Sequence, residues 1–265
     1  MGAEQLNVKE IARSFVEARR AGTVLSAYPG IAPIALDEAY RVQDEAIALA
    51  DRPLAGWKVG KIAPPIDGVD RLAGPIFADQ VVQEAAEPEA MPVFVGGFAA
   101  AEAEFLLRIG AAPDPAKRSY TLDEARALVD AVHVGIEIAS SPYPGINADG
   151  PAVTVSDFGN NNGLVVGRAI EGWRTVDLDT WPVALLVNGE TVGKGTTAEM
   201  LDGPFGAVRF LLELSARRGT ALSPGQWVST GAVTGVHPVE IGDRVEARFG
   251  DGYTTYCTIK AQQEA

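Results

Sequence analysis

Along the first 55 residues the apolar positions recur at helical intervals. Residues 4–22 set Leu6, Ile11, Phe15 and Ala18 on one stripe with charges between them. The stretch ALDEAYRVQDEAIALAD repeats the pattern, with Val42, Ala46 and Leu49 at i, i+4 and i+7. Both predict helices that together make an N-terminal layer. From Gly56 onward the pattern shortens to β-branched runs punctuated by glycine and proline: GWKVGKI, PVFVGG, AEFLLRI, AVHVGIEIA, GLVVG, WPVALLVNGETVG, QWVSTGAV and DRVEARF. Asn188-Gly189 marks a hairpin turn within the sixth of these. Two further helices interrupt the strands. TLDEARALVDAV opens on a Thr121–Glu124 capping box and carries an apolar stripe of Leu122, Ala125, Leu128, Val129 and Val132. LDGPFGAVRFLLELSARRG sets Phe205, Val208 and Leu212 on one face and ends on Arg217, Arg218 and Gly219, which suit a helix C-terminus. The expected architecture is α+β and mainly β: a helical N-terminal layer over residues 1–55 and a β domain over 56–265.

Composition narrows the function classes. With 265 residues, 47% apolar and 22% charged, the chain can bury a substantial core. A formal charge of −13 argues against nucleic acid and anionic membrane as partners. The single cysteine, Cys257, precludes an intrachain disulfide and any cysteine-based metal site, so a cytoplasmic protein is expected. The N-terminus has no signal-peptide apolar run, Gly2 lacks the hydroxyl residue a myristoylation motif requires, and no stretch is long and apolar enough to span a bilayer.

The polar residues that interrupt the apolar runs carry the candidate chemistry. FAAAEAEFLLRIG, residues 98–110, sets Glu102 and Glu104 one residue apart between apolar neighbours. Flanking glycines and prolines favour a strand, on which the two carboxylates share a face roughly 6.5–7 Å apart. A solvated face would tolerate them, but Ala100 and Leu106 lie on the same face. The other reading is a divalent cation between them. Glu137, set between Ile136 and Ile138 with no lysine or arginine nearby in sequence, adds a third carboxylate. An all-oxygen set suits Mg²⁺ or Mn²⁺ better than Zn²⁺. Lys58, between Trp57 and Val59, faces opposite to both. It either snorkels at a sheet edge or, partly desolvated with its pKa lowered toward neutrality, binds an anionic substrate or transfers protons. Asp79 in GPIFADQV is either a turn residue or a further carboxylate of the same site.

Taken in order, GWKVG, GPIFADQV, AEAEFLLRI, GIEIASS, DFGNNNGLVVG, NGETVGKG, LDGPFGAVRFLLE and GQWVSTGAVTGVHPVEIGDRVEARF resemble the 2-keto-4-pentenoate hydratase and 4-oxalocrotonate decarboxylase group of the fumarylacetoacetate hydrolase superfamily. The resemblance runs from the second helix to the end of this series. It implies a mixed β-sandwich roll holding one Mg²⁺ or Mn²⁺, with Glu102, Glu104 and Glu137 as metal ligands. Lys58 and Asp79 match catalytic positions, with Asp79 orienting Lys58. The implied substrate is a small 2-oxo acid or its dienol, whose carboxylate and 2-oxygen chelate the metal and so stabilise an enolate. Hydration of a 2-hydroxydienoate is the first expectation and decarboxylation of a 4-oxalocrotonate-like acid the alternative. The same resemblance implies a homo-oligomer.

Three departures bear on specificity. KIAPP puts Lys61 and two prolines where the group usually has a hydroxyl residue; Asn162 stands where it usually has serine against the substrate carboxylate; Lys194 adds a charge among small residues. These three residues are candidate substrate contacts, and the altered segments also keep open a non-catalytic binding relative. C–C hydrolysis of an acylpyruvate is the remaining alternative. It is disfavoured because neither histidine lies in the 60–80 segment where that reaction's His–Glu pair is expected: His133 closes the capped helix and His237 sits in a late loop.

Overall fold

The structure is a computed structural model and describes residues 7–250 and 252–264. Helix α1 (Val8–Ala21) begins on Asn7, whose side chain accepts the Glu10 N–H, and ends on Gly22 in the left-handed conformation. Leu6 and the start of the predicted first helix lie outside the described residues. Helix α2 (Leu36–Ala50) packs on α1, and Ile11, Phe15, Val42 and Ala46 form one apolar cluster with Phe77 and Phe158. The helical layer is thereby seated on one end of the sheet that follows.

That sheet has eight strands: β1 (Leu54–Ile66), β2 (Val69–Phe77), β3 (Val81–Gln83), β5 (Phe98–Ile109), β6 (Val129–Ser141), β7 (Asn161–Ala169), β10 (Trp227–Ser229) and β11 (His237–Pro238). Their order is β2-β1-β10-β5-β6-β7-β3, with β11 pairing on β5. The second sheet runs β4 (Glu89–Val93), β13 (Tyr253–Ala261), β12 (Arg244–Phe249), β8 (Val183–Val187), β9 (Glu190–Gly195). Both sheets are mixed: β1 with β10, β3 with β7 and β4 with β13 pair in parallel, and the remaining ladders are antiparallel. Strand outweighs helix, 37% against 27%, so the chain has the α+β, mainly β architecture expected. The turn at Asn188-Gly189 joins β8 to β9 with both residues at positive φ, which a right-twisted hairpin favours.

The two faces of β5 part company. Ala101, Ala103, Phe105 and Leu107 enter the main core against the second sheet, where Phe105 meets the Phe249 ring edge-on at 5.2 Å. Leu106 points the other way, into a small cluster with Ile76, Leu164, Val166 and Trp227. Glu102 and Glu104 alternate onto that second face.

Four elements differ from the sequence expectation. Helix α3 covers only Leu122–Ala127; the expected continuation to Val132 is strand, because Val129 already pairs with Ile109 across the long β5–β6 ladder. The capping box itself is present. Strands β2 and β13 and the short helix α4 (Pro151–Ser156) are additions. Strand β13 buries Thr255, Cys257 and Ile259 in alternation, a period-2 pattern with only one aliphatic residue among its three buried positions. Helix α5 (Gly203–Arg218) ends on left-handed Gly219, as expected.

Candidate metal centre and active site

Strand pairing assembles the three glutamates. In the β5–β6 ladder Glu102 stands directly opposite Glu137, and Glu104 lies opposite Gly135 on the same face. Each offers a carboxylate oxygen within 4.8 Å of the others'. All three are buried; Glu102, the most exposed, shows 4% of its surface. Two of the carboxylates are tethered by one oxygen only. Glu104 Oε2 accepts from Ser229 Oγ at 2.5 Å and from the Gly231 N–H at 2.9 Å, and Glu137 Oε1 accepts from Asn161 Nδ2 at 2.9 Å. Glu104 Oε1 and Glu137 Oε2 are buried without a hydrogen-bond partner. Unmet acceptors of this kind are costly in a protein interior. Three carboxylates offering free oxygens to one point form a donor set that fits a hard divalent cation.

The countercharge comes from far along the chain. Lys58 on β1 is buried, with Nζ 3.3 Å from Glu137 Oε1 and donating to Asn160 Oδ1, also at 3.3 Å. One ammonium cannot balance three carboxylates, and the ionisation of the group reflects this. Burial pushes Glu102 up to about 7, with Lys58 opposing and Glu137 adding to the rise. Burial, followed by the Glu137 and Glu102 charges, holds Glu104 well above the usual carboxylate range. Lys58 departs from expectation: burial pulls it down, but Glu137, Glu102 and Glu104 together outweigh burial and raise it. It is held as an ammonium rather than tuned toward neutrality.

Lys58 and Glu102 reach a cavity of about 760 Å³, whose wall also includes Asn160 and, from the connection after β6, Asn147 and Thr154. Asn160 donates to Asn147 Oδ1 at 2.9 Å, which leaves its own Oδ1 toward Lys58. The segment that delivers Asn160 is unusual, with Phe158, Gly159 and Asn160 in succession at φ 55°, 62° and 58°. Gly74, opposite Lys58 in the β1–β2 ladder, is what lets this turn approach: a Cβ there would sit 2.0 Å from the Phe158 carbonyl oxygen.

No family model matches the chain. A 4-oxalocrotonate decarboxylase of Pseudomonas sp. (strain CF600) is 29% identical over 141 residues, 53% of this chain and 52% of that protein. The chain thus aligns with about half the length of the first curated relatives it matches. A 2-keto-4-pentenoate hydratase of Paraburkholderia xenovorans (strain LB400) is 27% identical over 91% of the chain and 90% of its own length. Among solved structures, the 4-oxalocrotonate decarboxylase of Pseudomonas putida G7, complexed with magnesium and adipate, superposes with a TM-score of 0.80 at 22% identity. That match covers 97% of this chain and 99% of the other, and it shows a shared fold. The chain is thus similar in sequence to 4-oxalocrotonate decarboxylases and 2-keto-4-pentenoate hydratases and shares the fold of the former.

Within the fold, the residues singled out in the sequence separate into two groups. Glu102, Glu104, Glu137 and Lys58 converge, and exposed Lys61 and Lys194 line the same cavity farther out. Asp79 does not join them. It lies in a short turn after β2 with 64% of its side chain exposed, pairs with Arg52, and is absent from the cavity wall, so it cannot orient Lys58 here. Asn162 is also displaced from its expected role: buried away from the cavity, it donates to the Pro92 carbonyl at 2.8 Å and accepts from Arg19 at 3.1 Å. Its neighbours Asn160 and Asn161 hold the polar positions beside Lys58 and Glu137. The triplet NNN was the available signal, but spacing alone could not say which asparagine faces inward.

His133 needs correction too. It lies within β6 rather than at a helix end, with Nδ1 2.8 Å from the Gly167 carbonyl and its ring edge-on to Trp227. It therefore does not close the capped helix, which ends at Ala127. His237 contacts the Thr234 carbonyl, and neither histidine lines the cavity. Among the described residues, no helix is long and apolar enough to cross a membrane.

Proposed function

We propose that this protein is a divalent-metal-dependent lyase acting on a small 2-oxo acid or its dienol, with hydration of a 2-hydroxydienoate as its reaction. The carrying observation is the buried Glu102–Glu104–Glu137 set, with two unpartnered oxygens, beside a charged lysine at the wall of a cavity large enough for such an acid. The three glutamates would hold Mg²⁺ or Mn²⁺. Bound there, the cation supplies Lewis-acid stabilisation for negative charge on the carboxylate and 2-oxygen of the substrate.

The protein's own groups supply the remainder. Glu137 and Asn160 fix Lys58 Nζ from two sides, so its proton is held at a defined point next to the glutamates. Delivery of that proton to the terminal carbon of a 2-hydroxy-2,4-dienoate, with loss of the enol proton, gives the 2-oxo-3-enoate. Water then adds across the remaining double bond, hydroxyl at C4 and hydrogen at C3, to give the 4-hydroxy-2-oxo acid. Lys58 regains its proton from solvent through the cavity. Ser229 and Gly231 keep Glu104 from rotating as charge shifts in the site.

Decarboxylation of a 4-oxalocrotonate-like acid is the second reading, and the position of Asp79 favours it. With Asp79 at the surface, Lys58 is the one buried lysine at the cavity wall among the described residues, and loss of CO₂ requires one delivered proton and no activated water. The test is a turnover panel of 2-hydroxypenta-2,4-dienoate and 4-oxalocrotonate, read by product NMR and CO₂ release. It is run after EDTA treatment and again after Mg²⁺ or Mn²⁺ is restored. Metal-dependent formation of the 4-hydroxy-2-oxo acid supports hydration, and metal-dependent CO₂ release selects the second reading. Metal-independent turnover, or no turnover of any 2-oxo acid, sinks the proposal.

A further inference from the structure

A charged side chain from the N-terminal helix is buried beneath the site without reaching the cavity. Arg19, in the last turn of α1, is 8% exposed and Asp157 is fully buried. Arg19 Nε and Nη2 grip the two oxygens of Asp157 at 2.5 and 2.9 Å. Nη1 donates to the Asn161 carbonyl at 3.2 Å and to Asn162 Oδ1 at 3.1 Å. Nη2 also reaches the carbonyl of Ser140, on β6 three residues beyond Glu137, at 3.1 Å. The rings of Phe94 and Phe158 flank the guanidinium, 5.6 and 5.1 Å from its carbon.

We propose that Arg19 is a positioning residue: its guanidinium clamps both ends of the Asp157–Asn162 turn to β6 and thereby sets Asn161 against the metal ligand Glu137. The inference rests on the reading of the three glutamates as a metal site. The turn between the clamped ends holds three successive residues in the left-handed region. For Phe158 and Asn160 that conformation costs on the order of 1–2 kcal/mol each, so the turn does not keep its shape unaided. Arg19 holds Asp157 before the left-handed residues and Asn161 after them, and Ser141 Oγ also donates to Asp157 at 2.6 Å. The span from Ser140 to Asn161 that the fork fixes is the span bridged by the Asn161–Glu137 hydrogen bond. A buried ion pair is a poor way to gain stability, since apolar residues of the same size often do as well. A planar five-donor fork is well suited to fixing one arrangement of several acceptors. Arg19 touches neither the cavity nor any glutamate, so it acts through Asn161.

The test is Mn²⁺ titration of the full chain, followed by EPR of the free ion, with near-ultraviolet circular dichroism as the check on folding. Wild type, Arg19→Lys, Asp157→Asn, Asn161→Ala and the double variant Arg19→Lys/Asn161→Ala are compared. Groups that orient metal ligands typically set affinity by about 10–100-fold, so each single variant is expected to weaken Mn²⁺ binding by that factor while keeping the native dichroism. The double variant is expected to be no weaker than Asn161→Ala alone, because both changes remove the same constraint on Glu137. Folded Arg19→Lys and Asp157→Asn chains that bind Mn²⁺ like wild type overturn the proposal, and so do additive effects in the double variant. If both of these variants lose the native dichroism, Arg19 serves the fold alone and the proposal is equally overturned. Wild type that binds no Mn²⁺ instead refutes the metal-site reading itself, a separate result.

Discussion

Replacing Glu102 with glutamine should stabilise the metal-free protein at alkaline pH while destroying its response to metal. Glu102 is raised from an ordinary 4.5 to about 7, first by burial and then by the balance between Lys58, which lowers it, and Glu137, which raises it further. A carboxyl raised on folding binds more protons in the native state than in the unfolded chain. Its penalty is therefore absent below pH 4.5, grows as pH rises toward 7, and is fully present above it. At 1.36 kcal/mol per unit, the rise corresponds to about 3 kcal/mol of lost stability at pH 8. For a chain of this size that is roughly 6–12 °C in Tm.

The assay is thermal or urea unfolding in EDTA at pH 5, 6, 7 and 8, for wild type and Glu102→Gln. Wild type should lose stability steadily across the series. The variant should lose less, because Glu104 alone still carries the same sign of dependence, and should exceed wild type by about 3 kcal/mol at pH 8. Mn²⁺ at about a hundred times its Kd should return about 2.7 kcal/mol to wild type and nothing comparable to the variant. A flat wild-type profile between pH 5 and 8, or a variant no more stable than wild type at pH 8, would refute the claim that these carboxylates are buried against their own charge.

Other substitutions separate the roles of neighbouring residues. Lys58→Met should cut kcat by about 10²–10⁴-fold while leaving Mn²⁺ binding as tight or tighter, since an ammonium no longer competes for Glu137; unchanged turnover would remove Lys58 from proton transfer. Asp79→Asn should leave kcat/KM within about twofold, as for an ordinary surface change, and a large loss would mean that Asp79 enters the site during turnover. Gly135→Ala should destabilise by about 1–3 kcal/mol or more in urea unfolding. Its new Cβ would lie 2.3 Å from Leu106 Cδ1 and 2.7 Å from the Val165 carbonyl, and the backbone atom cannot step aside.

The grouping of the three glutamates was legible in the sequence because strand alternation sets the face on which each can lie. Two glutamates at i and i+2 must share a face of a strand, and a third between isoleucines on the adjoining strand must choose a face as well. Lys58 was legible for the same reason, since it alternates with buried Trp57 and Val59. What failed lay in turns and at element ends. Val129 and Val132 complete a helical stripe as well as they start a strand, and only the pairing of Val129 with Ile109 decides between the two. The partner of Glu137 does not lie nearby in sequence: the sheet order sets β1 close to β5 through β10 and so brings Lys58 from 79 positions away. The lysine pKa is raised and not lowered, because the three carboxylates around Lys58 outweigh its burial.

The errors at Asp79 and Asn162 share a cause that bears on how site residues are carried between relatives. Both lie next to turns, where one residue of difference in backbone path turns a side chain from cavity to core or solvent. Along a strand, a match in spacing fixes the face. Through three consecutive left-handed residues it does not, and here Asn160, Asn161 and Asn162 point to the cavity lysine, to Glu137 and to Arg19 in turn. Asparagine tolerates this as few residues do, because it accepts positive φ and offers both a donor and an acceptor to whatever it meets. Exchange of Asn160 for serine would shorten the reach to Lys58, whereas the same exchange at Asn162 would break the bridge between Arg19 and Pro92. The first two positions of the triplet therefore contact Lys58 and Glu137, and the third bridges Arg19 and Pro92.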